Sequence, residues 1–600
     1  MATKYVYKIR KQIDRNPFMD SQSRTYSEDQ TISEFFPTSV FWSIFNSQNE
    51  IYLGTRGSGK TILMRMASYK LLREMTSLKA KEIIQKRKYV CFFVPLNLEF
   101  ATSVVSSSLN NEYFLFSANC LSVEAFIDTL ICVFDDVFGK ECRRKDIEIQ
   151  LTEEICRELA ISNECVVLND IRSEIATLYN KADPWNDGEA HSVPTIMYKE
   201  FLTPVLRIID IINRHIQDIF ESTTWIACID EAEFLQESHL RCVNTFMRST
   251  KKHLAIKMTT LPTKHTTCET TIKGIQIDSN GNDFNYRSID YDCDSGEYID
   301  LTNFIFRNRL QKIRDKEYQS LEEFFGVCGR SDDPFDYFVS ALGVGEPEAR
   351  SFIKEELIRE LSQKRRDRYA KIKEESGKVS SQYIEKFSPA FYLRYAKKQN
   401  GQANKTFAWY LGSRTIRKMS DGNPRRFIEI MNYLFNELLA RDMTKKELHN
   451  TIVKYAKEEE KRIQSLPEYG FLLKAFCDKI GNMLSEKIHG EILFDYGCNF
   501  YIDGALLANK HIENAIKLGI DYNHIKLVSN KYEQIDSDSH LRLSYIHAVV
   551  HWLPMRVVDH PTPKILPKHF AIVFEDEYFN SKNSLQLLGN YGLEIKNDAQ

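Results

Sequence analysis

Eight residues, Gly54, Thr55, Arg56, Gly57, Ser58, Gly59, Lys60 and Thr61, follow directly on the apolar run Ile51, Tyr52 and Leu53 and lead into a stretch, 62–72, rich in helix formers. This order of strand, glycine-rich loop and helix constrains the fold more than any other feature of the chain. The glycines let the backbone turn tightly, so that successive N–H groups point at phosphate oxygens while the helix start adds its partial positive charge. In such a loop Lys60 reaches the β and γ phosphates of a nucleotide, Thr61 offers its hydroxyl to Mg2+, and Ile62 opens the helix behind them.

A phosphate loop of this kind needs a second strand that ends in carboxylates. Trp225, Ile226, Ala227, Cys228 and Ile229 run into Asp230 and Glu231, which reads as a buried parallel strand ending in two acids. Asp230 is placed to hold magnesium through its water shell, and Glu231, free of the metal, to orient and deprotonate an attacking water. The same two residue types also favour the first turn of a helix, here at 231–235. After a helical stretch at 237–252 comes 254–260, a short strand ending in Thr259 and Thr260. Either hydroxyl suits a position beside the γ phosphate, and hydroxyl residues also end strands for no chemical reason.

Length sets the frame for the remainder. Six hundred residues exceed what one core organises, so two to four domains are expected. With 43% hydrophobic and 27% charged residues, the chain belongs with ordinary folded proteins. Lys and Arg number 80 against 83 Asp and Glu, a net charge of -3, so no overall positive field advertises nucleic acid or an acidic membrane. The 13 cysteines are scattered, with no Cys-x-x-Cys pair, which points to neither a zinc ribbon nor a disulfide framework and fits a reducing, cytoplasmic setting. No signal-peptide run and no membrane-spanning stretch is read from the sequence.

Further along, Ser420, Asp421, Gly422, Asn423 and Pro424 read as a turn and helix start, with apolar residues at helical spacing from Phe427 to Phe435. Arg425 and Arg426 then fall on a first turn, where the helix dipole disfavours cations, so each calls for an anionic partner. A nucleotide phosphate and a protein carboxylate are both open as that partner.

These parts together resemble the AAA+ ATPases, in particular the clade of origin-recognition and replication-initiator ATPases. The resemblance implies ATP and Mg2+ as cofactors, with residues 54–61 as the Walker A loop and Asp230 and Glu231 as the Walker B acids. It also implies Thr259 or Thr260 as sensor 1 and the helix start at 422–425 as sensor 2, with Arg425 sensing the γ phosphate. Asn16, Pro17 and Phe18 with Arg24, and Phe36 and Pro37, look like the segment that covers the adenine. In the family a neighbouring subunit supplies an arginine finger, which implies a homo-oligomer; Arg307 and Arg309 are candidates for it. About 160 residues separate the Walker motifs, so an insertion is expected near 100–200. The loop and the acidic run at 230–233 also look like bacterial ATPases of antiphage defence.

The expected architecture is therefore α/β: an N-terminal segment 1–50, a parallel P-loop sheet flanked by helices at 51–310, a helical lid at 311–460, and an α+β domain at 461–600. The order of helices, then strands at 525–528 and 541–543, then a helix at 547–553, is compatible with a winged helix that binds double-stranded DNA. A helical interaction domain docking a separate effector protein fits the same order. Residues 501–600 hold ten Lys and Arg against twelve Asp and Glu, short of the usual basic footprint. The basic stretch 364–373 offers either a nucleic-acid contact or a solvated helix face.

Overall fold

The computed structural model describes residues 6–7, 15–19, 26–106, 110–139, 142–161, 165–180, 193–249, 253–279, 281–311, 320–325, 347–348, 351, 355, 390–398, 410–490, 496–528, 535–536, 539–558 and 563–565. They belong to two compact units, Gln22–Asp290 and a second formed by Met1–Ser21 with Tyr291–Gln600. Arg24, the basic stretch 364–373 and most of the helix expected at 347–373 lie outside the described residues.

The first unit is built on five parallel strands, β1 (Glu50–Leu53), β2 (Tyr89–Pro95), β3 (Thr224–Asp230), β4 (Leu254–Thr260) and β5 (Asn285–Ser288), in the order β2-β3-β4-β1-β5. Both faces are covered, as a parallel sheet requires, and successive side chains divide between two cores. Ile51, Val90, Phe92, Ala227, Ile229 and Ile256 enter one core, while Tyr52, Cys91, Ile226, Cys228 and Ala255 enter the other. The second core is closed by the helix after the loop, α1 (Lys60–Ala67), through Leu63, Met64, Met66 and Ala67.

Between β2 and β3 the chain inserts a run of helices, the longest of them α2 (Asn110–Phe138). Phe126 of α2 packs on Phe92 and Trp225 of the sheet. The segment 111–138 is long and apolar enough to cross a membrane, although Glu124, Asp128, Asp135 and Asp136 interrupt its apolar run. Some 67% of its most apolar window is buried in the protein, and its residues form the centre of the first core, so its apolarity is explained by packing.

At the end of the sheet away from the loop, Glu50 and Lys257 are fully buried and face each other across β1 and β4. Lys257 Nζ donates to Glu50 Oε2 (2.9 Å), Asn46 Oδ1 (2.8 Å) and the Gln48 carbonyl (2.7 Å), while Arg287 and the Tyr52 hydroxyl also donate to Glu50. Burial pushes the Glu50 carboxyl up, but the lysine and the other donors outweigh it and hold it below its usual value. Burial also lowers the Lys257 ammonium, against the pull of Glu50. We take the pair as ionised, since with Asn46 Nδ2 at 3.2 Å from Oε2 four donors converge on one carboxylate. Replacing Lys257 with Met removes its charge from a buried pair and should cost about 3 kcal/mol, read from the urea midpoint. The sign with pH follows. In the parent the depressed Glu50 stabilises above the usual carboxylate range and that stability is lost on acidification. In the variant burial raises Glu50, so the deficit against the parent narrows as pH falls.

The second unit contains the helices α3 (Gly412–Ser420), α4 (Pro424–Ala440), α5 (Lys445–Arg462) and α6 (Gly470–His489), and a two-residue ribbon pairing Val6–Tyr7 with Met443–Thr444. Beyond them lies a four-stranded sheet of β6 (Asn499–Ile502), β7 (Ile525–Leu527), β8 (His540–Leu543) and β9 (Lys564–Ile565), ordered β9-β6-β8-β7. Its helices are α7 (Lys510–Asp521), whose buried Ile512, Ala515, Ile516 and Ile520 mark one packed face, and α8 (Tyr545–His551). Strands β7 and β8 and helices α7 and α8 match the sequence expectation. Strand β6 escaped it because four residues between Gly497 and Gly504 are too few to show an alternation.

Candidate functional site

The parallel register brings the ends of β1, β3 and β4 to one edge of the sheet: Leu53 lies opposite Thr260, and Ile229 opposite Met258. In an open parallel sheet this carboxyl edge is where ligands bind. The loop leaves β1 there. Gly54 N donates to the Thr260 carbonyl at 3.1 Å, and a Cβ on Gly54 would fall 2.4 Å from Ser58 Oγ, so a side chain there would displace the Ser58 hydroxyl. Gly57 and Gly59 have φ of 92° and 96°, the left-handed region. Gly59 begins α1 with no side-chain cap, so the first-turn N–H groups remain as donors that an anion can take.

Lys60 is buried and its ammonium bends back over the loop, donating to the Gly54 carbonyl (2.9 Å) and the Thr55 carbonyl (3.4 Å), with Glu233 Oε1 at 4.0 Å. Arg56 is exposed at the loop tip, and Thr61 and Ile62 are half-buried on the first turn of α1. Thr55 is held from the far side: its N–H and its hydroxyl both donate to Asp290 Oδ1, at 3.1 and 2.9 Å.

At the end of β3, Asp230 is 1% exposed and accepts a hydrogen bond from the Thr259 hydroxyl at 2.5 Å. The same hydroxyl accepts from Glu231 N at 3.3 Å, so Thr259 spends itself on the two acids. Thr260 Oγ1, one residue on, is buried without a partner among the described residues, as are Ser58 Oγ and Glu233 Oε2. Glu231 has φ 65°, a left-handed conformation that costs a non-glycine residue about 1 kcal/mol or more and that clusters at functional sites. Orphaned oxygens on the loop and at the β3 and β4 ends, beside an uncapped helix start and a buried lysine, fit a nucleotide phosphate with its divalent ion. Thr61 and Asp230 are the residues that would hold that ion.

In the second unit Asn423 caps α4 by accepting from Arg426 N, and Pro424 takes the first helical position. The two arginines then part. Arg426 is buried, donating to the carbonyls of Asn523 (2.7 Å) and Tyr522 (3.2 Å) and lying 3.5 Å from Asp421 Oδ2. Arg425 stays half-exposed and, among the described residues, is bound to Glu429 of its own helix at 3.0 Å. Phe18 is fully buried in this unit, its ring packed on Phe435 and Phe306. Arg307 is exposed and Arg309 buried.

Sequence reasoning overlooked Asp290 and Asp421. Asp290 follows β5, a strand with only four residues and none fully buried. Asp421 was read as part of a turn, yet it is 1% exposed and its carboxylate accepts from Arg542 Nη1 (2.7 Å) and Tyr545 N (3.0 Å) as well as facing Arg426. A turn acid beside two arginines was the available signal.

A glycine loop on an inner strand of an all-parallel sheet, hydroxyls at the end of the adjoining strand and paired acids at the end of the strand beyond it define an AAA+-like α/β protein. The ORC-CDC6-like family model matches residues 16–559, and the chain belongs to that family. No curated protein and no solved structure matches it.

Proposed function

We propose that the chain binds Mg-ATP at residues 54–61 and hydrolyses it in the cytoplasm, coupling nucleotide state to self-assembly and to a DNA-linked partner. The observation that carries this is Glu231: a carboxylate held in a left-handed backbone at the carboxyl edge of the sheet, next to an acid that Thr259 already orients. Lys60 moves from the loop carbonyls to the phosphates, and Thr61 and Asp230 hold magnesium. When bound, that ion supplies charge neutralisation between the phosphates. Glu231 orients the attacking water and takes its proton, and Thr260 Oγ1 is available to the γ phosphate. Arg425, the arginine of the pair whose partner among the described residues lies on its own helix, supplies the sensor-2 charge, and an exposed Arg307 suits a finger offered to a neighbouring subunit.

The double-stranded DNA reading draws support from the C-terminal order of α6, β6, a short helix at Gly504–Leu507, α7, β7 and β8, with β8 between β6 and β7, which is compatible with a winged helix. The near-neutral charge of residues 501–600 favours a second reading, an ATP-gated scaffold that captures a separate effector protein, as in antiphage defence. ATP turnover of the purified chain, with and without double-stranded DNA and with Lys60→Ala as control, decides between them. Stimulation by DNA that fades steeply with salt supports the first. Turnover indifferent to DNA, with ATP-dependent assembly, supports the second, and turnover unchanged in Lys60→Ala removes the site. Arg425→Ala is expected to lower turnover at least tenfold while leaving the unfolding midpoint unchanged.

A further inference from the structure

Far along the chain from the phosphate loop, three side chains of the second unit meet in a way the proposed ATPase does not use. His547 and His551 lie four residues apart on α8 and so share one helix face, and Glu460 reaches them from α5. Glu460 Oε1 is 3.2 Å from His547 Nδ1 and 3.2 Å from His551 Nε2, and all three donor atoms lie within 4.8 Å of one another. The three side chains are 9%, 0% and 9% exposed for Glu460, His547 and His551.

The other ring nitrogen of His551 has a partner of its own. His551 Nδ1 sits 3.1 Å from Asn482 Oδ1, and in the neutral tautomer that donates this bond Nε2 turns its lone pair toward a carboxylate oxygen. In that tautomer a bound metal ion reconciles the two lone pairs, and without one a proton shared between His551 and Glu460 does so. The spacing suits the ion: donors at about 2.0–2.1 Å from a tetrahedral zinc ion stand about 3.3 Å apart. The surroundings are built as well. Glu460 Oε2 is engaged by Lys474 Nζ at 3.6 Å, which leaves Oε1 as the single ligating oxygen, and Asp478 offsets the lysine charge through its own bond to Lys474. Gly481 of α6 faces the His551 ring, where a Cβ would fall 2.3 Å from Cδ2, so α6 admits the imidazole only because that residue is glycine.

We infer that Glu460, His547 and His551 form a binding site for one divalent transition-metal ion, zinc by the two-imidazole, one-carboxylate donor set, which staples α5 to α8. Asn482 fixes the His551 tautomer and Lys474 fixes the carboxylate. Three protein donors leave the fourth tetrahedral position to water.

The test uses the full chain without nucleotide, dialysed against chelator and titrated with Zn2+ or Co2+. The site predicts about one equivalent bound per chain, visible Co2+ absorption of a four-coordinate nitrogen and oxygen set, and a melting temperature that rises with Zn2+. Glu460→Gln should abolish the absorption. Asn482→Ala, a change at an exposed position that leaves the fold intact, should weaken affinity by about 10–100-fold. Wild-type protein that binds no stoichiometric Zn2+ and shows no melting shift overturns the inference, and identifies the cluster as an imidazolium–carboxylate pair. Binding that survives unchanged in both variants overturns it equally. If Glu460→Gln does not fold, Asn482→Ala and the wild-type spectrum decide.

Discussion

Glu231→Gln is expected to leave ATP binding within a few-fold of the parent and to cut turnover by about 10²–10⁴-fold, the range for removal of a positioned general base. The amide keeps the size of the side chain and its place at the end of β3, so Asp230 and Thr259 retain their bond and the loop is untouched. What is lost is the ability to take a proton from water. Single-turnover hydrolysis measured beside equilibrium nucleotide binding separates the two effects. A variant that turns over ATP at the parental rate would show that Glu231 is strained for some reason other than catalysis. One that no longer binds would show that its role is structural.

The second large effect falls on stability. Asp421→Ala removes a carboxylate that faces both Arg542 and Arg426 in the buried interior of the second unit. Burial works against the Arg542 charge, and Asp421 with Tyr545 more than offsets it, holding the guanidinium above its usual value. Without the acid two guanidinium groups are left buried, and Tyr545 N loses its acceptor as well. The expected cost is about 3–5 kcal/mol, read from chemical denaturation of the second unit's transition. Asp421→Ala with Arg542→Met should recover part of it, since the buried charge then goes with its partner.

How much of this was legible beforehand follows from the kind of signal each part carries. The loop at 54–61 is contiguous, and the chemistry of its glycines and Lys60 is local, so eight residues suffice. The buried strands β3 and β4 announce themselves as apolar runs. The division of labour between Arg425 and Arg426 could not be read, because it depends on carbonyls of Tyr522 and Asn523 almost a hundred positions away. The choice between Thr259 and Thr260 was equally closed, since adjacent residues on a strand point to opposite faces and only the register decides which meets Asp230. Helix α2 is ambiguous by composition alone, its apolar length serving a core. The zinc-like cluster was invisible because its ligands are spread over 460 to 551, and only the pair at i and i+4 is local.

The turn that carries Arg425 into α4 is anchored through its neighbours. Asp421 answers to Arg542 and Tyr545, Lys526 donates to the Asp421 carbonyl, and Arg426 holds the end of α7. These bonds tie the start of α4 to the C-terminal sheet closely enough that neither should open to solvent without the other. Hydrogen exchange would then find the amides of Arg426 and Phe427 exchanging at the same slow rate as those of β8, as one cooperative unit, so that whatever docks on the C-terminal sheet acts directly on the local opening of the helix that presents Arg425.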